Sequence, residues 1–305
     1  MATVAEDRAY DVEDDVPESM SIAGAPGFTK TQLGWRNWLN ALAYVLNFAV
    51  TYLSLTGIFG ATNTVLSKKY QTLVTPAGWA FSIWGPIFIG EGVFTVAQML
   101  PRFRGSAMVK AVTPWWLGAC GFQVAWTIAF AKEVIPASLM CMLGILGCLL
   151  CLSERTDGFR TSCAEYWLLR APFSLHLGWI IAASAVNASV LADSSLASPE
   201  TLLGLAVLSY AVVAAIIAIF AIALRSPDPI VCLVAAWAFA GIHAELGDPK
   251  NLDDPDRWNP HTWDRVTLGG LRFAALGVSL LALALAVVAT TKKALAMWTS
   301  EDVHE

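Results

Sequence analysis

The sequence has few charged residues and contains long segments with none. Charged side chains make up 14% of the 305 residues and hydrophobic ones 56%, whereas a soluble domain carries about 25% charged residues. We identify eight apolar segments of roughly 20 residues, the length that crosses about 30 Å of hydrocarbon as a helix: 39–60, 75–99, 112–131, 134–153, 168–192, 201–224, 228–247 and 268–291. The pattern predicts an all-α, polytopic membrane bundle and excludes a soluble globule.

Motifs that would indicate an enzyme are also missing. The chain has no glycine-rich phosphate loop, no H-E-x-x-H and no G-x-S-x-G. Cys148-x-x-Cys151 lies in an apolar segment with no histidine or acid nearby, so we interpret the six cysteines as packing residues rather than a redox or zinc site. We therefore expect no catalytic residue, no metal and no required cofactor. A net charge of −5 gives no electrostatic footprint for nucleic acid.

Charge is concentrated outside the apolar segments and indicates how the chain crosses the membrane. Residues 1–34 form an acidic stretch that we interpret as a disordered cytosolic tail. With eight spans, twelve of the 19 lysines and arginines fall on the side of both termini and seven on the other. The positive-inside rule then places both termini in the cytosol. Only Lys132 and Glu133 join the third and fourth spans, which predicts a tight hairpin.

The long loop at residues 247–266 has two interpretations. Its carboxylates, among them Asp253 and Asp254, are of the type that binds a hard cation. Their spacing matches no calcium loop, however, and Trp258 and Trp263 are typical of a membrane interface. We therefore favour a solvated outer loop over a cation site.

The second span combines features that are costly in a lipid-facing helix. It contains Trp79, Trp84, two prolines and the carboxylate of Glu91. We expect Pro76 near the first position of the helix, where its missing N–H costs nothing, and we expect Pro86 to kink the helix. Ionisable groups at membrane depth tend to face the interior of a bundle or a cavity, so this span is predicted to border one.

Two further spans pair a polar side chain with a tryptophan on one helical face. Gln123 and Trp126 are three residues apart, as are His176 and Trp179, and such pairs are neighbours on a helix surface. Asn187 follows His176 by eleven residues, close to three whole turns. A few convergent polar groups within apolar surroundings are typical of a small-molecule site.

Three interpretations of these polar groups stay open. They line a ligand pocket together with the tryptophans, or they hydrogen-bond neighbouring helices at about 0.6–2 kcal/mol each. In the third interpretation Glu91 and His176 form the proton or ion relay of a secondary transporter or channel. Because we find no inverted repeat of the transporter kind, we favour the ligand pocket.

Four short motifs carry a resemblance to a known family. The segment TPAGWAFSIWG at 75–85 resembles the second-helix signature of the TspO/MBR family, the tryptophan-rich sensory proteins related to the mitochondrial translocator protein. QVAW at 123–126 resembles the Asn-x-x-Trp of its third helix, and PFSLHLGW at 172–179 resembles its fifth helix. AAWAFAGI at 235–242 is similar to a motif of a longer branch with extra C-terminal helices.

The resemblance implies a five-helix membrane bundle that encloses a pocket for tetrapyrroles, sterols or synthetic ligands, capped by the loop at 61–74. It divides the chain into a core at 35–192, a three-helix extension at 193–293 and a short tail at 294–305. The implied partners are the lipid bilayer, a hydrophobic ligand such as a porphyrin or haem, and a second copy in a homodimer. Photo-oxidation of a tetrapyrrole is the one enzymatic alternative.

Carried over to this chain, the pocket positions with the best match are Trp79, Trp84, Trp126 and Pro172. Four positions depart from the family pattern. Gln123 stands where the family has Asn, and His176 replaces an aromatic residue. Trp84 follows Trp79 by five residues instead of six, and Asn187 lies further along than the Asn of the family's fifth helix. We expect a protein that senses or transports a small hydrophobic molecule. The residues predicted to bind it are Trp79, Trp84, Glu91, Gln123, Trp126, Pro172, His176, Trp179 and Asn187.

Overall fold

The computed structural model describes residues 32–159, 161–249, 252–254 and 256–301, with side chains up to residue 295. All regular secondary structure within these ranges is helical. The acidic tail predicted at 1–34 lies outside the described residues except for its last three. The α-helices are α1 (Trp35–Ser54), α2 (Asn63–Lys69), α3 (Trp84–Ala97), α4 (Ala107–Ala131), α5 (Ile135–Thr156), α6 (Cys163–Glu165), α7 (Ala171–Ser194), α8 (Pro199–Ala218), α9 (Pro229–Glu245) and α10 (Arg265–Glu301).

Helices occupy all eight segments that the sequence predicts as spans. Among the described residues, five helical stretches are long and apolar enough to cross a bilayer, which makes the chain a multi-pass membrane protein: Gly78–Ala97, Ile135–Thr156, Cys163–Ser194, Pro199–Ala223 and Arg265–Leu295. The apolar helix α9 is shorter, so the full number of crossings stays a prediction. The two stretches that begin at Cys163 and Pro199 each include a π-helical turn, at Tyr166–Arg170 and Ile219–Ala223.

The start of the second span differs from our expectation. A 3₁₀ helix, Gly78–Ile83, precedes α3, so Pro76 lies two residues before this helix rather than at the first position of α3. Pro86 falls in the first turn of α3. Amide groups there have no intrahelical partner, so this proline does not interrupt the helix and the expected kink is not required.

Helix α1 presents a polar face to the protein. Its buried residues are Asn37, Asn40, Asn47 and Ser54, whereas apolar side chains such as Leu42 are exposed. This arrangement suits a helix whose outer surface faces lipid. Interhelical hydrogen bonds therefore add to the aromatic contacts, such as Phe48 against Phe88, that hold α1 against α3 and α4.

Two antiparallel hairpins and a central helix organise the bundle. The hairpins are α4–α5, joined by three residues that include Glu133, and α9–α10. Helix α7 contacts α3, α5, α8 and α9. The predicted extension therefore packs directly against the predicted core, and one compact unit includes both. Helix α10 runs to Glu301, through most of the predicted C-terminal tail.

Candidate functional site

A cavity of about 430 Å³ lies beneath α2, between α1, α3 and α4. Thr51 of α1, Trp84 and Phe88 of α3, and Gln123 and Trp126 of α4 contribute to its wall. Its size falls within the range of small-molecule pockets. The segment predicted as a cap, residues 61–74, contributes further lining residues: Asn63, Thr64, Ser67, Lys68 and Gln71.

A narrower cavity of about 70 Å³ continues toward the predicted extension. The two cavities share seven lining residues, namely Asn63, Ser67, Thr75, Pro76, Phe81, Trp84 and Trp126. Trp179 of α7, Tyr210 of α8 and Phe239 of α9 line the inner cavity alone. The five-helix core therefore does not enclose the space by itself, because α8 and α9 supply its inner wall.

Aromatic rings and one amide fix the shape of the inner cavity. Trp126 stacks on Phe130 with ring centroids 5.2 Å apart and an angle of 12° between the planes. The Trp126 indole N–H donates to Asn187 Oδ1 over 3.0 Å, and Asn187 Nδ2 donates to the Ala183 carbonyl. The asparagine thus holds the indole in one orientation.

Trp84 lies where the two cavities meet. Its ring centroid is 6.5 Å from that of Trp179 and 5.8 Å from that of Phe88. Gln123 is buried beside it on the wall of the wider cavity. The structure thus brings five of the predicted site residues to one continuous space: Trp84, Gln123, Trp126, Trp179 and Asn187.

The other predicted site residues do not line the cavity. Trp79 is 46% exposed and packs edge-on against Trp237, with ring centroids 4.7 Å apart. Pro172 is buried between helices, where Gly90 of α3 approaches it closely. Glu91 and His176 lie behind Trp84, since the rings of His176 and Trp84 are 5.7 Å apart.

Glu91 and His176 form a contact deep in the bundle. Glu91 Oε1 and His176 Nδ1 are 2.7 Å apart, and both side chains are at most 1% exposed. The distance is that of a hydrogen-bonded or ion pair, and within the described part of the chain neither side chain has a hydrogen-bond partner outside this contact. A buried pair with no other polar support is expensive at membrane depth.

A salt bridge fastens the cap segment to the α4–α5 turn. Glu133 pairs with Lys69 at the end of α2 and accepts a hydrogen bond of 2.7 Å from the Tyr70 hydroxyl. Both contacts lower the pKa of the Glu133 carboxyl, and the hydrogen bond from Lys69 has the larger effect. Because both partners of the salt bridge are about one-third exposed, solvent screens the pair and its contribution is below about 1 kcal/mol.

The predicted extension also holds the cap. Gln71 Nε2 donates to Glu245 Oε1 of α9 over 2.5 Å, and just beyond the cap the Ala77 amide donates to the Gly241 carbonyl over 3.0 Å. Gly241 is required there, because a Cβ atom at this position would lie 2.8 Å from that of Ala80. The cap thus rests on α9 as well as on the core.

The loop 247–266 packs onto the cap. Trp258 lies edge-on against Tyr70 of the cap segment, with ring centroids 5.8 Å apart. Asp253 pairs with Arg265 at 2.7 Å, and Asp264 accepts hydrogen bonds from the first turn of α10. Within the described ranges, no three histidine, cysteine or acidic side chains cluster as metal ligands.

These features define a class, a multi-pass helical membrane protein with an internal aromatic cavity. The chain belongs to the TSPO-like family, because the family model described as TSPO-like protein matches residues 37–254, which is more than half of it. The match extends from α1 to the loop after α9 and so includes two of the helices beyond the five-helix core. This family is generally non-enzymatic. A search of curated proteins and a search of solved structures each gave no match.

Proposed function

We propose that the protein binds a small hydrophobic molecule, of the tetrapyrrole or sterol class, in the aromatic cavity beneath the cap. The observation that supports this most directly is the continuous space on which Trp84, Trp126 and Trp179 converge. Sensing and transport both begin with this binding step. The homodimer predicted from the sequence stays a prediction.

The cavity wall favours a flat or rigid apolar ligand. Aromatic side chains offer faces and edges that stack on planar rings, and the inner cavity is bordered by Trp126, Trp179, Tyr210 and Phe239. The inner cavity has few polar lining residues, whereas the wider cavity has many, a large share of them from the cap. Gln123 is buried in the wall of the wider cavity, and its side-chain carbonyl oxygen has no hydrogen-bond partner among the described residues. We infer that it orients a polar substituent of the ligand.

Tryptophan quenching tests the proposal. Purified protein titrated with protoporphyrin or haem is expected to show saturable quenching. Trp126→Ala removes a wall of both cavities, so affinity falls. Trp167→Ala is the matched control, because Trp167 is 59% exposed on the protein surface and lines neither cavity. Quenching that never saturates, or that is equally weakened in both variants, contradicts binding in this cavity.

A further inference from the structure

One face of α1 carries a hydrogen-bonding side chain at every turn. The positions follow the alternating three- and four-residue spacing that keeps side chains on one side of a helix: Asn37, Asn40, Tyr44, Asn47, Thr51 and Ser54. At 1.5 Å per residue this face is roughly 25 Å long. It therefore extends over most of the thickness of a bilayer core.

The contacts of this face continue from the N-terminal end of α1 inward. Asn37 Nδ2 donates to the Gln98 carbonyl over 3.0 Å, and Gln98 Nε2 donates back to the Asn37 carbonyl at the same distance. Asn40 Nδ2 donates to Gln98 Oε1 over 2.8 Å and to Thr113 Oγ1 over 3.0 Å. The first two turns of α1 are thus joined to α3 and α4 by polar groups.

The same face then reaches the cavity. Asn47 Nδ2 lies 3.9 Å from the Cys120 sulfur of α4. Thr51, one turn further along α1, lines the wider cavity, as does Gln123, which is one turn beyond Cys120 on α4. A continuous polar seam therefore connects the N-terminal end of α1 with the ligand space.

Acceptor atoms without partners are concentrated along this seam. Among the described residues, one side-chain oxygen each of Asn40, Asn47, Thr51 and Gln123 accepts no hydrogen bond. The carboxylate oxygens of Glu91 and the ring nitrogens of His176 likewise have no hydrogen-bond partner outside their own contact. Helix-to-helix adhesion alone does not account for these atoms, because buried polar groups that only hold helices together are normally satisfied.

We propose that the Glu91–His176 pair and the polar face of α1 form a path for proton transfer between the cavity and the N-terminal end of α1. Solvent water held by the free amide and hydroxyl oxygens carries the proton to and from the pair. This is narrower than the transporter or channel considered from the sequence, because it requires no other substrate.

The transfer step at the pair conserves one proton. A proton that arrives at Glu91 forms an O–H bond at Oε1. Transfer to His176 Nδ1, 2.7 Å away, breaks that bond and forms an N–H bond, which leaves a carboxylate beside an imidazolium. The imidazolium then releases its Nε2 proton to water, which leaves a neutral ring that keeps its proton on Nδ1. Water-mediated exchange of that proton to Nε2 restores the starting tautomer, so that Nδ1 can accept the next proton from Glu91.

Few other titratable groups face this pair. Besides His176 on α7, the described groups in electrostatic range of Glu91 include the Tyr44 hydroxyl of α1 and the Cys120 thiol of α4. Among the described ion pairs, none joins Glu91 to a lysine or an arginine. Glu91 and His176 are therefore the groups whose removal is expected to interrupt transfer.

Proton flux into proteoliposomes tests the path. Full-length protein is reconstituted with a pH-sensitive dye inside the vesicles, and a potassium gradient with valinomycin sets the membrane potential. Wild-type protein is expected to admit protons faster than protein-free vesicles. Glu91→Gln removes the carrier and Asn47→Leu replaces a polar link by an apolar one, so each is expected to lower the flux to the protein-free level.

The matched control is Ser279→Ala, which removes a buried hydroxyl bonded to the Ala236 carbonyl, away from the seam. It is expected to retain wild-type flux. Size-exclusion profiles and melting temperatures check folding, and Asn47→Leu carries the test if Glu91→Gln does not fold. Wild-type flux no faster than that of empty vesicles overturns the proposal. So does full flux in a folded Glu91→Gln or Asn47→Leu protein, even one with lowered stability, because this marks a structural role only.

Discussion

Arg257 donates a hydrogen bond to the backbone carbonyl of Gln71 over 2.7 Å and so ties the loop after α9 to the cap. The same guanidinium nitrogen pairs with the Asp193 carboxylate at 3.0 Å, and both of these side chains are 2% exposed. A second nitrogen of Arg257 donates to the His261 carbonyl. One side chain thus joins the outer loop, the cap and the C-terminal end of α7.

Removing this arginine is expected to destabilise the protein. Arg257→Met leaves the Asp193 carboxylate buried without its cation, which typically costs about 3–5 kcal/mol. Thermal unfolding in detergent measures the loss. Asp193→Asn in the same background removes the stranded charge and should recover part of the stability. An unchanged melting temperature in Arg257→Met would show that the pair contributes no net stability.

A side chain at Gly241 is expected to be harmful, because α9 there packs closely against residues 76–80, just after the cap. In Gly241→Ala, the new Cβ atom would lie 2.8 Å from that of Ala80 and 3.0 Å from that of Pro76. Overpacking of this kind costs about 1–3 kcal/mol, so the melting temperature falls. Gly204→Ala is the control, because nothing lies within 4 Å of its new Cβ atom. That variant is expected to be neutral or stabilised by up to about 1 kcal/mol.

The family motif and the structure place Trp79 in different positions. The motif resemblance implies that this residue lies in the pocket, whereas the structure places its ring against Trp237, outside both cavities. We therefore expect Trp79→Ala to bind protoporphyrin with wild-type affinity, although total fluorescence is lower. Isothermal titration, which does not depend on the lost fluorophore, provides the measurement. A clear loss of affinity would favour the motif.

Acid is expected to loosen the cap through Glu133. Its pKa is lowered below the ordinary value of 4.5, so the salt bridge with Lys69 contributes fully above that pH and is lost as the pH falls through the lowered pKa. Ligand dissociation should then accelerate, by up to about fivefold for a pair worth about 1 kcal/mol or less. Stopped-flow dissociation rates between neutral pH and pH values below 4.5 test this.

The control for the acid effect is Glu133→Gln, which cannot ionise. Its dissociation rate at neutral pH should match that of acidified wild-type protein and should not change further over the same range. If both proteins accelerate equally in acid, another group controls the cap.

The sequence predicted the eight longer helices well because each lies within a mostly apolar run with polar residues or prolines at its ends. It could not predict which helices touch. Glu91 and His176 were each assigned to an inward face, yet their distance of 2.7 Å depends on the close approach of α3 and α7 at Gly90 and Pro172. Spacing within one helix does not contain that information.

Other site features were missed for identifiable reasons. Trp79 was treated as part of a continuous α-helix, but it lies in the 3₁₀ segment, where a tighter turn changes which way each side chain points. Tyr210 and Phe239 carry no motif that marks them as cavity residues. The polar face of α1 is visible in the three- and four-residue spacing of its polar residues, but none of the four family motifs lies in this helix.

The polar face of α1 also bears on how the protein is made. Helix α1 is not among the five helical stretches apolar enough to enter a bilayer on composition alone, and it emerges from the ribosome before α3 and α4 supply its hydrogen-bond partners. Its stable insertion therefore has to wait for those later helices. A substitution such as Thr113→Val, which removes a partner of Asn40, should accordingly appear first as a low yield of membrane-inserted protein, before any change in what the mature protein binds.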